Sequence, residues 1–191
     1  MSNFIALLDA CVLYPASLRD TLLRAASADL YRPHWSAQIL DEVVRHLRAD
    51  RGISEAQAQR LASALREHFA EAETTGFESL IPTLTCQEKD RHVLAAAIRC
   101  HAQIIVTFNL KDFPVSSLEP FSIAAQHPDT FLTHLFRLEP DTMMTLIDEQ
   151  ATALRNPPAT FSRVLETLTQ HAPVFVSGVR AYIGDGMSDE V

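Results

Sequence analysis

"IIVTFNLKDFP", residues 104–114, is the stretch on which the fold turns. Ile104, Ile105 and Val106 form a short continuous apolar run, the pattern of a strand covered on both faces. The run breaks at once into Thr107, Asn109, Lys111 and Asp112, then closes on Phe113 and Pro114. A buried strand that ends in so many polar groups needs something for them to hold. In open parallel sheets, functional groups gather beyond the carboxyl ends of the strands. The question is which other acids reach the same edge.

Just upstream, "TCQEKDRHVLAAAIRCHA" (85–102) opens with Thr85 and, three residues on, Glu88. That is capping-box spacing, and the stripe Val93, Leu94, Ala97, Ile98 follows at helical period. "FIALLD" (4–9) is a second continuous apolar run, ending in Asp9. Between these lie "SLRDTLLRAASA" (17–28), a helix with Leu18, Leu22 and Ala25 in step, and "DLYRPHW" (29–35), a short strand and turn. "SAQILDEVVRHLRAD" (36–50) is a helix with Ser36 as N-cap and a stripe of Ile39, Leu40, Val43, Val44 and Leu47. "SEAQAQRLASALREHFAEA" (54–72) is another, from Ser54 to Gly76 just past its end, and "SLIPTL" (79–84) is a weak strand. Strands alternating with helices predict an α/β domain with a mostly parallel sheet.

Past about residue 125 the texture changes. "HPDTFLTHLFRL", "EPDTMMTLIDEQATALRN", "PPATFSRVLETLTQHA" and "PVFVSGVRAYI" read as successive helices punctuated by Pro128, Pro140, Pro157–Pro158 and Pro173. The expected organisation is an α/β domain over 1–125, a helical extension over 126–184 and a frayed polar tail over 185–191. Phe131, Leu135, Phe136, Met143, Met144 and Ile147 would give the extension an apolar face, either as a structural addition to the core, a lid, a dimer interface or a docking surface for a partner.

The chain of 191 residues is long enough to bury a core without staples. Its net charge of −8 gives no footprint for indiscriminate nucleic-acid binding, although carboxylates that hold cations would contribute to that charge. Cys11, Cys86 and Cys100 show no C-x-x-C spacing and are expected as reduced thiols. No stretch approaches the length of a membrane span, and the first apolar run meets Asp9 early with no basic segment before it. The expected compartment is the cytoplasm.

Four acids stand where chemistry could use them. Asp9 ends the first strand; a cap or turn aspartate accounts for it equally well. Glu42 borders the apolar stripe of its helix, where a surface glutamate is the plain alternative. Asp90 lies four residues before Leu94 and seven before Ala97, on a face that should be buried. A first-turn aspartate favoured by the helix dipole is the alternative there. Asp112 follows the strand at 104–106, in a loop whose Asn and Asp are also common turn residues. Taken together, they describe carboxylates from two strand ends and two helices able to meet at one sheet edge. Acids packed so closely repel unless divalent cations lie among them, and oxygen-only ligation suits Mg²⁺ or Mn²⁺, one or two ions per site. Such a site activates water and clamps the oxygens of a phosphoryl displacement.

The segments "LLDACVLYP", "SAQILDEVVRHL" and "KDRHVLAAAIRCHAQIIVTFNLKDFP" resemble the PIN-domain family, of the kind that serves as VapC toxin in VapBC toxin–antitoxin pairs. The resemblance covers roughly residues 3–125. It implies a Rossmann-like α/β/α sandwich, plus here a C-terminal helical extension, and a Mg²⁺- or Mn²⁺-dependent endoribonuclease leaving 5′-phosphate and 3′-hydroxyl ends. Carried over by position, Asp9, Glu42, Asp90 and Asp112 are the acidic quartet, and Thr107 and Asn109 orient the site. Asp9 and Asp90 would touch the catalytic ion. Glu42 would complete the shell or align the attacking water, and Asp112 would serve a second or weaker ion or act through water. Arg19, Arg45, Arg91 and Lys111 are candidates for gripping RNA phosphates, against the alternative of solvated charge. One departure is Cys11, where a small polar residue is usual in the family. The implied partners are an RNA substrate, a cognate antitoxin and a second copy of the chain as a homodimer, with no membrane.

Two other readings stay open: a PIN-fold binding or scaffold protein without useful turnover, and a nuclease of housekeeping RNA processing. No H-E-x-x-H occurs among the eight histidines, and His92 and His101 read as surface or satisfied residues. Phosphatase chemistry of the D-x-D type needs an acid where Cys11 stands, and five glycines leave little room for a phosphate loop.

Overall fold

The computed structural model describes residues 4–154 and 158–186. The tail expected to fray lies outside these residues from 187 onward.

The described strands form one five-stranded sheet, wholly parallel, in the order β3-β2-β1-β4-β5. They are β1 (Ile5–Leu8), β2 (Arg32–Ser36), β3 (Glu73–Thr74), β4 (Ile104–Val106) and β5 (Ala124–Gln126). Ala6, Leu7 and Leu8 are fully buried, as a central parallel strand covered on both faces requires. Leu7 pairs with Ile105 on one side and His34 on the other. The chain adds β2 and β3 to one side of β1 and then returns to add β4 and β5 to the other. The carboxyl ends of β1 and β4 are therefore neighbours from which the connections leave in opposite directions. That is the switch point at which open α/β sheets place their sites.

The chain divides into two compact units, 1–15 with 31–127 and 16–30 with 128–191. The first holds the sheet with α1 (Ala10–Leu13), α3 (Ala37–Arg51), α4 (Glu55–His68), α5 (Arg91–Arg99) and α6 (Val115–Leu118). The β2–β3 and β3–β4 connections step in opposite directions along the sheet, so right-handed crossovers place α3–α4 and α5 on opposite faces. The second unit holds α2 (Ala16–Ser27), α7 (Pro128–Leu138), α8 (Pro140–Ala153), α9 (Phe161–Leu168) and α10 (Pro173–Gly186). A single boundary at residue 125 takes no account of α2, whose contacts group it with the C-terminal helices.

Local signals explain most element ends. Ser36 caps α3 by accepting from the Ile39 N–H at 3.2 Å, and Gly52 ends that helix in the left-handed region, φ 61°. Ser54 opens α4 with a full capping box completed by Gln57. In the second unit, Asp129 is buried and its two carboxylate oxygens accept from the Val174 and Phe175 N–H groups at the start of α10. Buried Thr21 and Gln150, with half-buried Ser17, join α2 to α8, with Thr21 Oγ1 2.7 Å from Gln150 Oε1.

Several expectations are corrected. "SLIPTL" is a tight 3₁₀ turn, Glu78–Thr83, not a strand. Pro82 lacks an N–H for a ladder and none of the six residues is buried, so nothing holds an extended conformation there. The outer strand position goes instead to Glu73–Thr74, paired with Trp35 and Ser36. The capping box of Thr85 and Glu88 does not form: Thr85 Oγ1 bonds Ser117 Oγ at 3.1 Å, and α5 is entered through a 3₁₀ turn at Glu88–Asp90. Gly76 does not end α4, which stops at His68; it sits in a turn beyond β3 with φ 73°. Phe131, Leu135, Phe136, Met143 and Ile147 are buried rather than a free docking face, and Met144 is half-buried.

Candidate active site

The ladders run one residue past the two central strands. The Asp9 N–H donates to the Val106 carbonyl at 3.1 Å, and the Thr107 N–H donates to the Gln126 carbonyl at 3.0 Å. Both side chains thus start from fixed backbone at the same sheet edge. Thr107 Oγ1 donates to Asp9 Oδ2 at 2.7 Å, and Cys11 Sγ donates to the same oxygen at 3.1 Å. The loop after β4 wraps round this pair: the Asn109 N–H donates to Thr107 Oγ1 at 3.0 Å and the Phe108 N–H to Cys11 Sγ at 3.3 Å. Thr107 is fully buried and Asp9 nearly so. Asn109 acts here through its backbone. Cys11, which from sequence is only a departure from family habit, is a second donor to Asp9. Burial first, and the Asp9 charge after it, push its thiol up to about 12. It therefore stays protonated and keeps the proton it donates.

Asp112 is carried to the same edge by a 3₁₀ turn, Leu110–Asp112, and is buried. Its Oδ2 lies 3.1 Å from Lys89 Nζ, which is also 3.6 Å from Asp90 Oδ2. Asp90 stands where the 3₁₀ turn passes into α5, and its side chain makes no capping bond. Its Oδ2 is buried and has no hydrogen-bond partner. Burial pushes the Asp90 carboxyl above the usual aspartate range; the Lys89 ammonium pulls it down, and the Asp112 and Asp9 charges add to the rise. Lys89 joins Asp90 to Asp112, and the charges of Asp112 and Asp9 both act on Asp90.

Glu42 is organised differently. His92 Nε2 lies 3.2 Å from Glu42 Oε1 and Arg45 lies 3.9 Å from the same oxygen. Partial burial alone would raise the Glu42 carboxyl, but the hydrogen bond and charge of His92, with Arg45 and His46, hold it below the usual range. His92 is buried and its Nδ1 has no hydrogen-bond partner, so the residue expected to be surface or satisfied is satisfied on one nitrogen only.

The basic candidates separate. Arg45 is exposed beside Glu42, Lys111 is exposed, and Arg91 donates from Nε to the Cys86 carbonyl at 3.3 Å. Arg19 belongs to α2 in the second unit. Among the described residues, no group of three or more His, Cys, Asp or Glu side chains is placed to hold a metal ion. The oxygen-only donors still suit Mg²⁺ or Mn²⁺ in kind, and the buried Asp90 Oδ2 makes no hydrogen bond, its nearest cation being Lys89 Nζ at 3.6 Å. The fit is of donor type, with an ammonium now lying between two of the acids.

Comparison with known proteins agrees with this architecture. Residues 6–111, more than half of the chain, match the model of the PIN domain, and the chain belongs to the PIN-domain family. Residues 128–181 match the VapC50 C-terminal domain. The chain is similar to the protein named "Putative ribonuclease VapC50" from Mycobacterium tuberculosis (strain ATCC 25618 / H37Rv), at 39% identity over 111 residues. That alignment covers 58% of this chain and 66% of the relative, just under two thirds of its length. No solved structure matches the chain. Among the described residues, no helix is long and apolar enough to cross a membrane.

Proposed function

We propose that the chain is a metal-dependent endoribonuclease of the VapC type, acting as the toxin of a pair and restrained by a cognate antitoxin. What supports the reading is that Asp9 follows β1 and Asp112 the end of β4 at the switch point of a parallel sheet, that the Lys89 ammonium joins Asp112 to Asp90, and that Asp90 Oδ2 is buried without a hydrogen bond. With an ammonium no nearer than 3.6 Å, such an oxygen stays costly to bury, and a cation at ligand distance would offset that cost. The name of the relative, which calls it a ribonuclease, points the same way.

Asp9 and Asp90 would hold a Mg²⁺ or Mn²⁺ ion, with Asp112 behind them. Bound there, such an ion supplies Lewis acidity, lowers the pKa of a water and offsets charge on a phosphate. Thr107 and Cys11 fix the Asp9 carboxylate so that it need not reorganise when charge develops. Glu42, kept ionised by His92 and Arg45, would orient a water and accept its proton. Attack of that water on an RNA phosphate, with departure of the 3′ oxygen, leaves a 5′-phosphate and a 3′-hydroxyl. Arg45 and Lys111, both exposed, together with Arg91, are the candidates to hold flanking phosphates.

The test is to induce wild type and Asp90→Asn in parallel in a bacterial host, follow growth, and map new 5′-monophosphate RNA ends. Growth arrest with discrete ends in the wild type alone supports a site-specific ribonuclease. Equal growth and no new ends, with both proteins soluble, refutes it.

A further inference from the structure

Lys89 has no part in the acidic quartet, yet it makes the shortest charged contact at the site. Its Nζ lies 3.1 Å from Asp112 Oδ2 and 3.6 Å from Asp90 Oδ2, so one ammonium spans two of the three aspartates. We infer that Lys89 serves as the second cation of this site, so that the chain takes one divalent ion where three aspartates alone would accommodate two. The inference rests on the metal-dependent reading given above.

The geometry gives the reason. Asp112 is 2% exposed, and a carboxylate so deeply buried must be paired. Its charged partner is Lys89, 23 positions earlier in the chain. The lysine side chain is 65% exposed, so its stem enters from solvent and carries only the ammonium to the acids. Asp90 Oδ2 keeps no hydrogen bond even so, because 3.6 Å is too long for one. Asp112 is thus supplied with its counter-charge, while Asp90 Oδ2 keeps only the longer ammonium contact and has no hydrogen bond to lose to an ion.

Charge balance leads to the same count. Glu42 has its own partners in His92 and Arg45, so Asp9, Asp90 and Asp112 remain, three negative charges of which Lys89 offsets one. The remainder matches a single divalent ion. A second ion would leave the cluster positive and place it against the ammonium, which would have to leave Asp112 first. Tethered to the adjacent turn, the ammonium is always at hand to return, whereas a free ion must be drawn from solution.

The test is Mn²⁺ binding to the full chain, without RNA, followed by titration calorimetry and by the electron paramagnetic resonance of free and bound Mn²⁺. Wild type, Lys89→Met and Lys89→Arg are compared, with Trp35 fluorescence as a check that each is folded. The expected result is one Mn²⁺ per chain for wild type and Lys89→Arg, and a second equivalent gained by Lys89→Met. Two ions in the wild type would overturn the inference and leave the metal-dependent reading standing. One ion in Lys89→Met, bound as in the wild type, would overturn it equally. No ion in any variant would overturn the metal-dependent reading and the inference together.

Discussion

Replacing Thr107 by valine should cost the sheet unit far more than the loss of one oxygen suggests. The side chain is fully buried, and valine keeps its branched shape and its methyl group, with a second methyl in place of the hydroxyl, so packing is unchanged to first order. What disappears is the hydroxyl that donates to Asp9 Oδ2 at 2.7 Å and accepts from the Asn109 N–H at 3.0 Å. A hydrogen bond to a charged partner contributes about 1.5–3 kcal/mol, and a buried donor left bare costs about 1–3 kcal/mol more. Asp9 retains the Cys11 thiol, which softens the first loss. The expected destabilisation is about 2–4 kcal/mol. Trp35 is the chain's single tryptophan, is fully buried beside Phe69, and lies in the same unit as Thr107. Its fluorescence in a urea titration therefore reports on the unit concerned. Thr107→Ser is the control: it keeps the hydroxyl, gives up one methyl, and should fall within about 1.5 kcal/mol of wild type. A valine variant as stable as the serine variant would refute the view that Thr107 holds Asp9.

Removing the α3 cap with Ser36→Ala should cost about 1 kcal/mol, seen as a lower urea midpoint of Trp35 fluorescence. Asp129→Asn replaces one of two oxygens that accept N–H bonds at the start of α10 with a donor. Helical signal in far-ultraviolet circular dichroism should melt earlier, by the equivalent of about 1–3 kcal/mol. Asp90→Asn should stabilise the metal-free chain at neutral pH. Burial raises the folded-state pKa of Asp90, so the folded chain binds more protons than the unfolded one and its stability falls as pH rises through that range. The gain in Tm for Asp90→Asn should be largest near pH 7 and shrink toward pH 4; a gap that widens on acidification would contradict the sign.

The sequence was most readable where one interaction decides a structure locally. β1 and β4 are continuous apolar runs, and Ser36 and Ser54 stand directly before their helices. The parallel sheet and the meeting of Asp9 with Thr107 follow from strand ends at a shared edge. The failures have physical causes. β3 is two residues long and carries no period to read, while "SLIPT" is largely apolar without being buried. Thr85 had the right spacing for a cap, but the competing hydroxyl of Ser117 comes from 32 residues away. The same distance effect hid the partners within the site. Lys89 beside Asp90 reads as ordinary helix-start charge until Asp112 is brought to it, and His92 shows its role only when Glu42 lies against it. Cys11 followed the first strand in plain view, but a thiol has no motif that announces a hydrogen-bond donor. The grouping of α2 with the C-terminal helices was invisible because helix periodicity says which face is buried, not against what.

The account turns on whether these acids cleave RNA with a divalent ion. The direct measurement is cleavage of an end-labelled bacterial RNA pool by the purified chain, with Mn²⁺ or with chelator, for wild type, Asp9→Asn and Asp90→Asn. Discrete fragments with 5′-phosphate ends, formed only by the wild type and only with the metal, are the predicted result. Fragments that survive chelation, or that both variants produce at the wild-type rate, would contradict it.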